Sequence, residues 1–215
     1  MTQRAVGTAR VHAIEAKRAL DVVVSAMLLV VLGPLLALLY VLVVVTSPGG
    51  GIFRQIRLGK DQQPFLMYKF RTMRVDGDQE LHREFVRSLL LGAVEPVDGM
   101  FKLCGDPRIT RLGAFLRRTS LDELPQLLNV FRGDMSLVGP RPALPWEVQM
   151  FPAWAMSRFT VMPGMTGLWQ VSGRSQMTMI EALRLDVEYV RRCTFWYDLL
   201  ILVRTGPAVL RAGAR

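Results

Sequence analysis

Asp122 and Glu123 stand side by side in the run Arg117-Arg118-Thr119-Ser120-Leu121-Asp122-Glu123-Leu124-Pro125. Two adjacent carboxylates can divide the work of a displacement at phosphorus. One attacks the phosphorus and the other helps to hold a divalent cation. Magnesium suits such a pair, because it prefers carboxylate and phosphate oxygens. The chemistry also needs cations for the phosphate oxygens. Arg117 and Arg118 lie just upstream, and Arg132 and the Gly139-Pro140-Arg141-Pro142 turn lie downstream. The stretch therefore reads as a metal-phosphate site. A plainer reading competes with it. Ser120-Leu121-Asp122-Glu123 fits the S-x-x-E capping box, in which Glu123 only closes a helix start. Asp122 would then be a favourable charge on the helix dipole. The residues alone leave both readings open. They do exclude other chemistries. Two histidines, His12 and His82, are too few for a His-rich metal site, and Cys104 and Cys193 form no C-x-x-C pair.

The elements that must position these groups can be read in outline. Leu121, Leu124, Leu127, Leu128 and Phe131 follow helical spacing. Pro125 belongs in a first turn, so the helix is expected to begin near residues 120–122 and to stop at Gly133. That would put the acid pair at a helix N-terminus, whose free N–H groups suit phosphate and favour an ionised Asp122. Residues 52–74 read as short strands or a hairpin, residues 79–91 as a helix and residues 92–105 as a loop. The glycines of Thr46-Ser47-Pro48-Gly49-Gly50-Gly51 are a linker, not a phosphate loop. Arg54 occupies the place of the first P-loop glycine, and Asp61 follows Gly59-Lys60. From Met179 onward the chain is helical, with Glu181, Arg184, Asp186, Glu188, Arg191 and Arg192 as its polar face. The apolar and aromatic cluster from Phe195 to Val203 follows, suited either to a membrane interface or to an ordinary core. The fold class expected is α+β, mostly helical.

Residues 22–45 carry no charge and are long enough to cross a bilayer. Gly33-Pro34 interrupts them near the middle, where proline removes a backbone donor and enforces a kink. Arg4, Arg10, Lys17 and Arg18 precede the run, and Arg54, Arg57, Lys60, Lys69, Arg71 and Arg74 follow it. Basic flanks on both sides give a single span no clear orientation. A helix that enters one leaflet and returns removes the conflict. On these residues a span and a re-entrant helix both remain open. The whole chain agrees with a membrane setting: 51% of residues are hydrophobic, mean hydropathy is +0.27 and the formal charge is +9. Such a balance suits an anionic surface or anionic substrates. Nucleic acid is not expected as a partner, since no recognition motif is visible.

The run from Arg117 to Pro142 resembles the bacterial sugar transferases, the monotopic phosphoglycosyl transferases that act on polyprenyl phosphate. Lys17-Arg18-x-x-Asp21, Phe53-Arg54-Gln55-Ile56-Arg57-Leu58-Gly59, Lys69-Phe70-Arg71-Thr72-Met73, Asp106-Pro107-Arg108-Ile109-Thr110 and the segment from Pro163 to Arg174 are similar to further motifs of that family. Met162 departs from it, standing where an Arg is usual. The resemblance implies a proline-broken re-entrant helix within residues 1–50 and a cytoplasmic catalytic domain with interfacial helices in residues 51–215. It implies transfer of a sugar 1-phosphate from a UDP-sugar to polyprenyl (undecaprenyl) phosphate at the cytoplasmic face of the bacterial inner membrane. Asp122 would be the nucleophile, and Glu123 would work with magnesium. Lys69, Arg71, Arg117 and Arg141 would hold phosphate or nucleotide. A membrane scaffold of the same fold without catalysis is the competing class, and the intact Asp122-Glu123 pair argues against it.

Overall fold

A computed structural model describes residues 2–47, 49–74, 84, 87–88, 106, 108–173 and 177–213, with side chains from Glu15 to Val209 within those ranges. Helix α1 (Thr2–Val31) is followed by α2 (Gly33–Thr46). Strands β1 (Ile52–Leu58) and β2 (Pro64–Phe70) form an antiparallel hairpin, with Phe53 opposite Lys69 and Ile56 opposite Leu66. Helix α3 (Arg111–Thr119), a single 3-10 turn (Leu121–Glu123) and α4 (Gln126–Arg132) come next. Strand β3 (Ser136–Val138) pairs in parallel with β4 (Gly164–Thr166). Between them lie α5 (Pro145–Val148) and a 3-10 helix (Ala153–Thr160). Helices α6 (Leu168–Ser172), α7 (Met179–Arg192) and α8 (Phe195–Gly213) close the chain. The described residues are thus mostly helical with two small sheets, as an α+β reading expects. Of residues 79–105, only Glu84, Arg87 and Ser88 are described, and all three are helical. The remaining positions in the helix and loop expected there lie outside the described residues.

The apolar run is broken where proline predicted it. The axis of residues 15–31 and that of α2 differ by 64°. Leu32 N and Leu36 N keep their helical bonds, to Leu28 O and Leu32 O. Pro34 has no N–H to return to the carbonyl four residues earlier, and its ring crowds that carbonyl. No single helix is long and apolar enough to cross a membrane among the described residues; only the bent pair together would be.

Both arms of the bend are fixed to the rest of the protein. On α2, Leu39 and Val43 are buried with Phe70 and Leu116. On α1, the three charged residues of the Lys-Arg-x-x-Asp motif are all structural. Lys17 Nζ donates to Val138 O at 3.0 Å and forms an ion pair with Asp198 of α8. Arg18 donates to the carbonyls of Val130 and Phe131 at 2.7 and 2.9 Å, satisfying the C-terminal end of α4. Asp21 accepts from Leu137 N at 2.9 Å and from Ser136 Oγ at 3.1 Å. Opposite these contacts, Val23, Met27, Val30, Val31, Leu38, Val41 and Val45 are exposed, as are Trp196, Leu199, Leu200 and Val203 on α8. Large apolar side chains are thus exposed along both arms of the bend and along α8.

Candidate active site

Asn129 is the residue that brings the acid pair to the hairpin. It is fully buried. Its Oδ1 accepts from Tyr68 N at 3.1 Å and its Nδ2 donates to Leu66 O at 2.8 Å, so a side-chain amide satisfies the edge of β2. A third bond, to Asp134 Oδ2 at 3.0 Å, fixes the amide's orientation. Helix α4 is thereby docked along β2. The turn just before it faces Lys69, whose Nζ donates to Glu123 Oε1 at 2.9 Å.

The acid pair does not open an α-helix, contrary to the expectation from spacing. Helix α4 starts only at Gln126, with Pro125 as its N-cap. Asp122 and Glu123 occupy the separate 3-10 turn between α3 and α4. The cause is Ser120, which sits in the left-handed region at φ 59 and ψ 15 and ends α3. An N-cap residue is normally extended. Ser120 makes no side-chain cap bond to the turn, so the capping box written in the sequence does not form. Glu123 instead lies beside Lys69, with about a third of its side chain exposed.

Asp122 is largely buried. Arg117, one turn earlier on α3, faces it. Burial pulls the Arg117 guanidinium down from its ordinary range, while Asp122 and Asp106 hold it up and Arg141 opposes them. Arg117 Nη1 is buried and has no hydrogen-bond partner. A buried guanidinium N–H without a protein partner, close to a carboxylate, is uncommon in a fold. It is what an oxyanion would fill. Asp106 is itself held by Arg108 through Nε at 2.8 Å and Nη2 at 2.6 Å, which keeps that carboxyl below the usual range.

Arg141 comes from the turn after β3, and its charge is felt by Arg117, Arg57 and Asp186. Lys69 meets Glu123 directly, and Arg117 is electrostatically coupled both to Asp122 and to Arg141, so three separate segments bring cations to this region. Arg71 makes its described contacts at the open end of the hairpin. Its Nε donates to Gly50 O at 2.9 Å and its N–H to Gly51 O at 3.0 Å, tying β2 to the exit of α2. Arg132 lies over Tyr68, 5.5 Å from the ring centre, and donates to its hydroxyl at 2.9 Å.

Two groups near the site escaped the sequence reading. Arg57 was assigned to a basic flank, yet it is buried and donates to Pro142 O at 3.1 Å. Asp186 was placed on the polar face of α7. It is buried and paired with Arg158 at 2.6 Å. A signal was present: Asp186 falls three and four residues after Leu183 and Ala182 and three before Tyr189, on the helix's buried face.

The described carboxylates include no cluster of three or more His, Cys, Asp or Glu suited to a metal ion. The pair Asp122-Glu123 still fits magnesium of the kind that is held by one or two carboxylates and completed by substrate phosphates and water.

Comparison with known proteins shows the family. The bacterial sugar transferase family matches residues 12–212. The exopolysaccharide production protein ExoY of Rhizobium meliloti is 41% identical over 90% of this chain and 85% of its own length. The undecaprenyl-phosphate galactose phosphotransferase of Salmonella typhimurium is 43% identical over 91% of this chain, which spans only 40% of that protein. The UDP-glucose:undecaprenyl-phosphate glucose-1-phosphate transferase of Caulobacter vibrioides is 40% identical over 90% of this chain and 69% of its own. The chain belongs to the bacterial sugar transferase family, a family of enzymes.

Proposed function

We propose that this sugar transferase moves a sugar 1-phosphate from a UDP-sugar to a polyprenyl phosphate such as undecaprenyl phosphate, and so starts assembly of a surface glycan. The observation that carries the reading is the buried, unpartnered Nη1 of Arg117 beside Asp122. It offers a charged donor to an oxygen bound to the phosphorus that Asp122 would attack. The relatives' names supply the substrate classes.

In the first step a carboxylate oxygen of Asp122 attacks the sugar-bearing phosphorus. The bond from that phosphorus to the bridging oxygen breaks, and UMP leaves with the electron pair. In the second step an oxygen of the polyprenyl phosphate attacks the same phosphorus, and the carboxylate of Asp122 departs unchanged. Arg117 and Arg141 hold the non-bridging oxygens, whose charge is the chief obstacle to attack by an anion. Lys69 pairs with Glu123 and holds it beside Asp122. Asp122 and Glu123 would hold magnesium, which supplies charge neutralisation to the diphosphate when bound.

The lipid acceptor requires a membrane setting. The exposed apolar faces of the bent helix pair and of α8 suit one leaflet, with Trp196 at headgroup depth. On this reading the bent pair is re-entrant, both its ends lie in the cytoplasm, and the protein sits on the cytoplasmic face of the inner membrane. The test is UMP release from a panel of UDP-sugars with magnesium and undecaprenyl phosphate in detergent. UMP release with one of them is expected. Silence across the panel, from a folded protein, would leave the scaffold reading in its place.

A further inference from the structure

The turn that carries Arg141 is held in an uncommon way. Pro140 and Pro142 have no N–H, so that segment can be fixed mainly through its carbonyls. Four consecutive carbonyls are all taken. Pro140 O accepts from Gly164 N at 2.8 Å, and Ala143 O accepts from Leu58 N at 2.9 Å. The two between them accept from side chains. Arg141 O accepts from Arg158 Nη2 at 2.6 Å, and Pro142 O accepts from Arg57 Nη1 at 3.1 Å.

Both donor guanidiniums are themselves held through two nitrogens, while Nη1 of Arg158 and Oδ1 of Asp186 are buried without a protein partner. Arg158 donates through Nε and Nη2 to Asp186 Oδ2, at 3.1 and 2.6 Å, and lies between Phe151 and Phe159, 5.2 and 5.3 Å from their ring centres. Arg57 donates through Nε and Nη2 to Gln55 Oε1, at 3.1 and 2.8 Å. Burial draws its pKa down to about 10. Three guanidiniums, those of Arg57, Arg141 and Arg158, are therefore gathered around one turn. A fold seeking only stability would do as well with apolar side chains there, since buried ion pairs gain little over good packing. Mutual repulsion makes the arrangement costlier still. What the fork of an arginine adds is direction: two bonds to one acceptor fix the plane of a third bond.

We infer that Arg158, held by Asp186, is a positioning residue for Arg141: its bond to the Arg141 carbonyl sets the direction in which the Arg141 side chain meets substrate phosphate. Arg57 does the same one residue later. The inference rests on the phosphate role proposed for Arg141 above.

A double-mutant cycle tests it, read as UMP release. Arg141→Ala is expected to slow the first step on the order of a hundredfold or more. Arg158→Gln leaves Arg141 in the chain but frees its backbone, and is expected to lower kcat/KM by up to about a hundredfold. If Arg158 acts through Arg141, the double variant is about as slow as Arg141→Ala alone. A merely structural residue would multiply its penalty onto that of Arg141→Ala, and that outcome overturns the inference. So does full activity in Arg158→Gln. Where Arg158→Gln does not fold, Arg158→Lys takes its place, because it keeps the charge and loses the fork. If the parent releases no UMP, the proposed function falls, and the same cycle is read from the affinity for inorganic pyrophosphate. Additive losses there overturn the positioning role by themselves.

Discussion

The foot of α1 and the surroundings of Asp122 are built from the same residue types, and they differ in what is left over. At the foot of α1, Lys17 pairs with Asp198, and Tyr189 donates to Asp198 Oδ1 at 2.7 Å. Burial, and then the Asp198 charge, hold the Tyr189 hydroxyl far above its ordinary pKa, so it remains a donor. Asp21 and Arg18 spend their hydrogen bonds on backbone groups of β3 and α4. The described polar atoms of this cluster serve one another. Around Asp122 the arrangement is unfinished: Arg117 Nη1 is buried without a partner, and Glu123 stays partly open to solvent. A saturated cluster fixes a shape, whereas an unsaturated one keeps a donor that a phosphate oxygen could take. Charge is common to both, so what marks the surroundings of Asp122 is an unpartnered guanidinium N–H beside a partly open carboxylate; the buried Arg158 Nη1 and Asp186 Oδ1 also lack partners, but they lie behind the Arg141 turn.

The sharpest break of this comparison is Asp122→Asn. It is nearly isosteric, so the fold should persist, while the nucleophile is lost. UMP release is expected to fall by on the order of 10⁴-fold or more, as for other nucleophile deletions. Covalent labelling by a UDP-sugar should vanish, with the melting temperature close to the parent's. A variant that turns over at the parent rate would remove Asp122 from the mechanism. Glu123→Gln comes next, with a loss of about 10²- to 10³-fold and a weaker response to magnesium. Since Ser120 closes no capping box, little stability should be lost with it. A variant that melts early yet keeps its rate would return Glu123 to a structural role.

These assignments show what a linear reading can reach. The hairpin, the break at Pro34 and the acid pair were legible because each depends on neighbours in sequence. The helix start was misread because a capping box is a pattern of side chains, and a left-handed Ser120 puts its hydroxyl out of place. Asp186 and Arg57 were hidden for another reason. Their partners, Arg158 and the Pro142 carbonyl, are 28 and 85 residues away. Nothing local distinguishes a solvated charge from one that folding will bury. The anchor motif was likewise visible as a motif and silent as to role, since Lys17 meets Asp198 across 181 residues.

Lys17→Met tests the saturated cluster. It leaves Asp198 and the Val138 carbonyl without their cation. Lys17 is a quarter exposed, so the loss should be below that of a fully buried pair, about 2 kcal/mol of stability by denaturant unfolding in detergent. The rate per folded molecule should change far less than in Glu123→Gln. A large fall in kcat with unchanged stability would mean that the two clusters are not separable, and that β3 transmits the anchor's position to Arg141.

The smallest effect is expected at Pro34, and it asks whether the anchor depends on one residue. Pro34→Ala would return an N–H to the carbonyl four residues earlier and remove the ring clash. A straightened run of about 24 residues at about 1.5 Å each would measure about 36 Å, enough to cross a hydrocarbon core of roughly 30 Å. Two features of the structure resist this. Lys17, Arg18 and Asp21 fix α1, while Leu39 and Val43 fix α2, so a straight helix would have to release one docked end. It would also carry Lys17 and Arg18 across the bilayer against their charge. Gly33 plays no comparable part, because a side chain there would meet nothing within 4 Å. Pro34→Ala should therefore give a minority of spanning molecules and a loss of turnover in proportion, while Gly33→Ala behaves as the parent does. Cysteines placed at Thr8 and Gly50 report the topology through an impermeant reagent applied to intact cells. Protection of both sites in the parent, and partial labelling of Thr8 in Pro34→Ala, is the expected pattern. Labelling of either site in the parent would make the bent pair a true span. Full protection with unchanged turnover in Pro34→Ala would show that the docked ends alone hold the 64° bend.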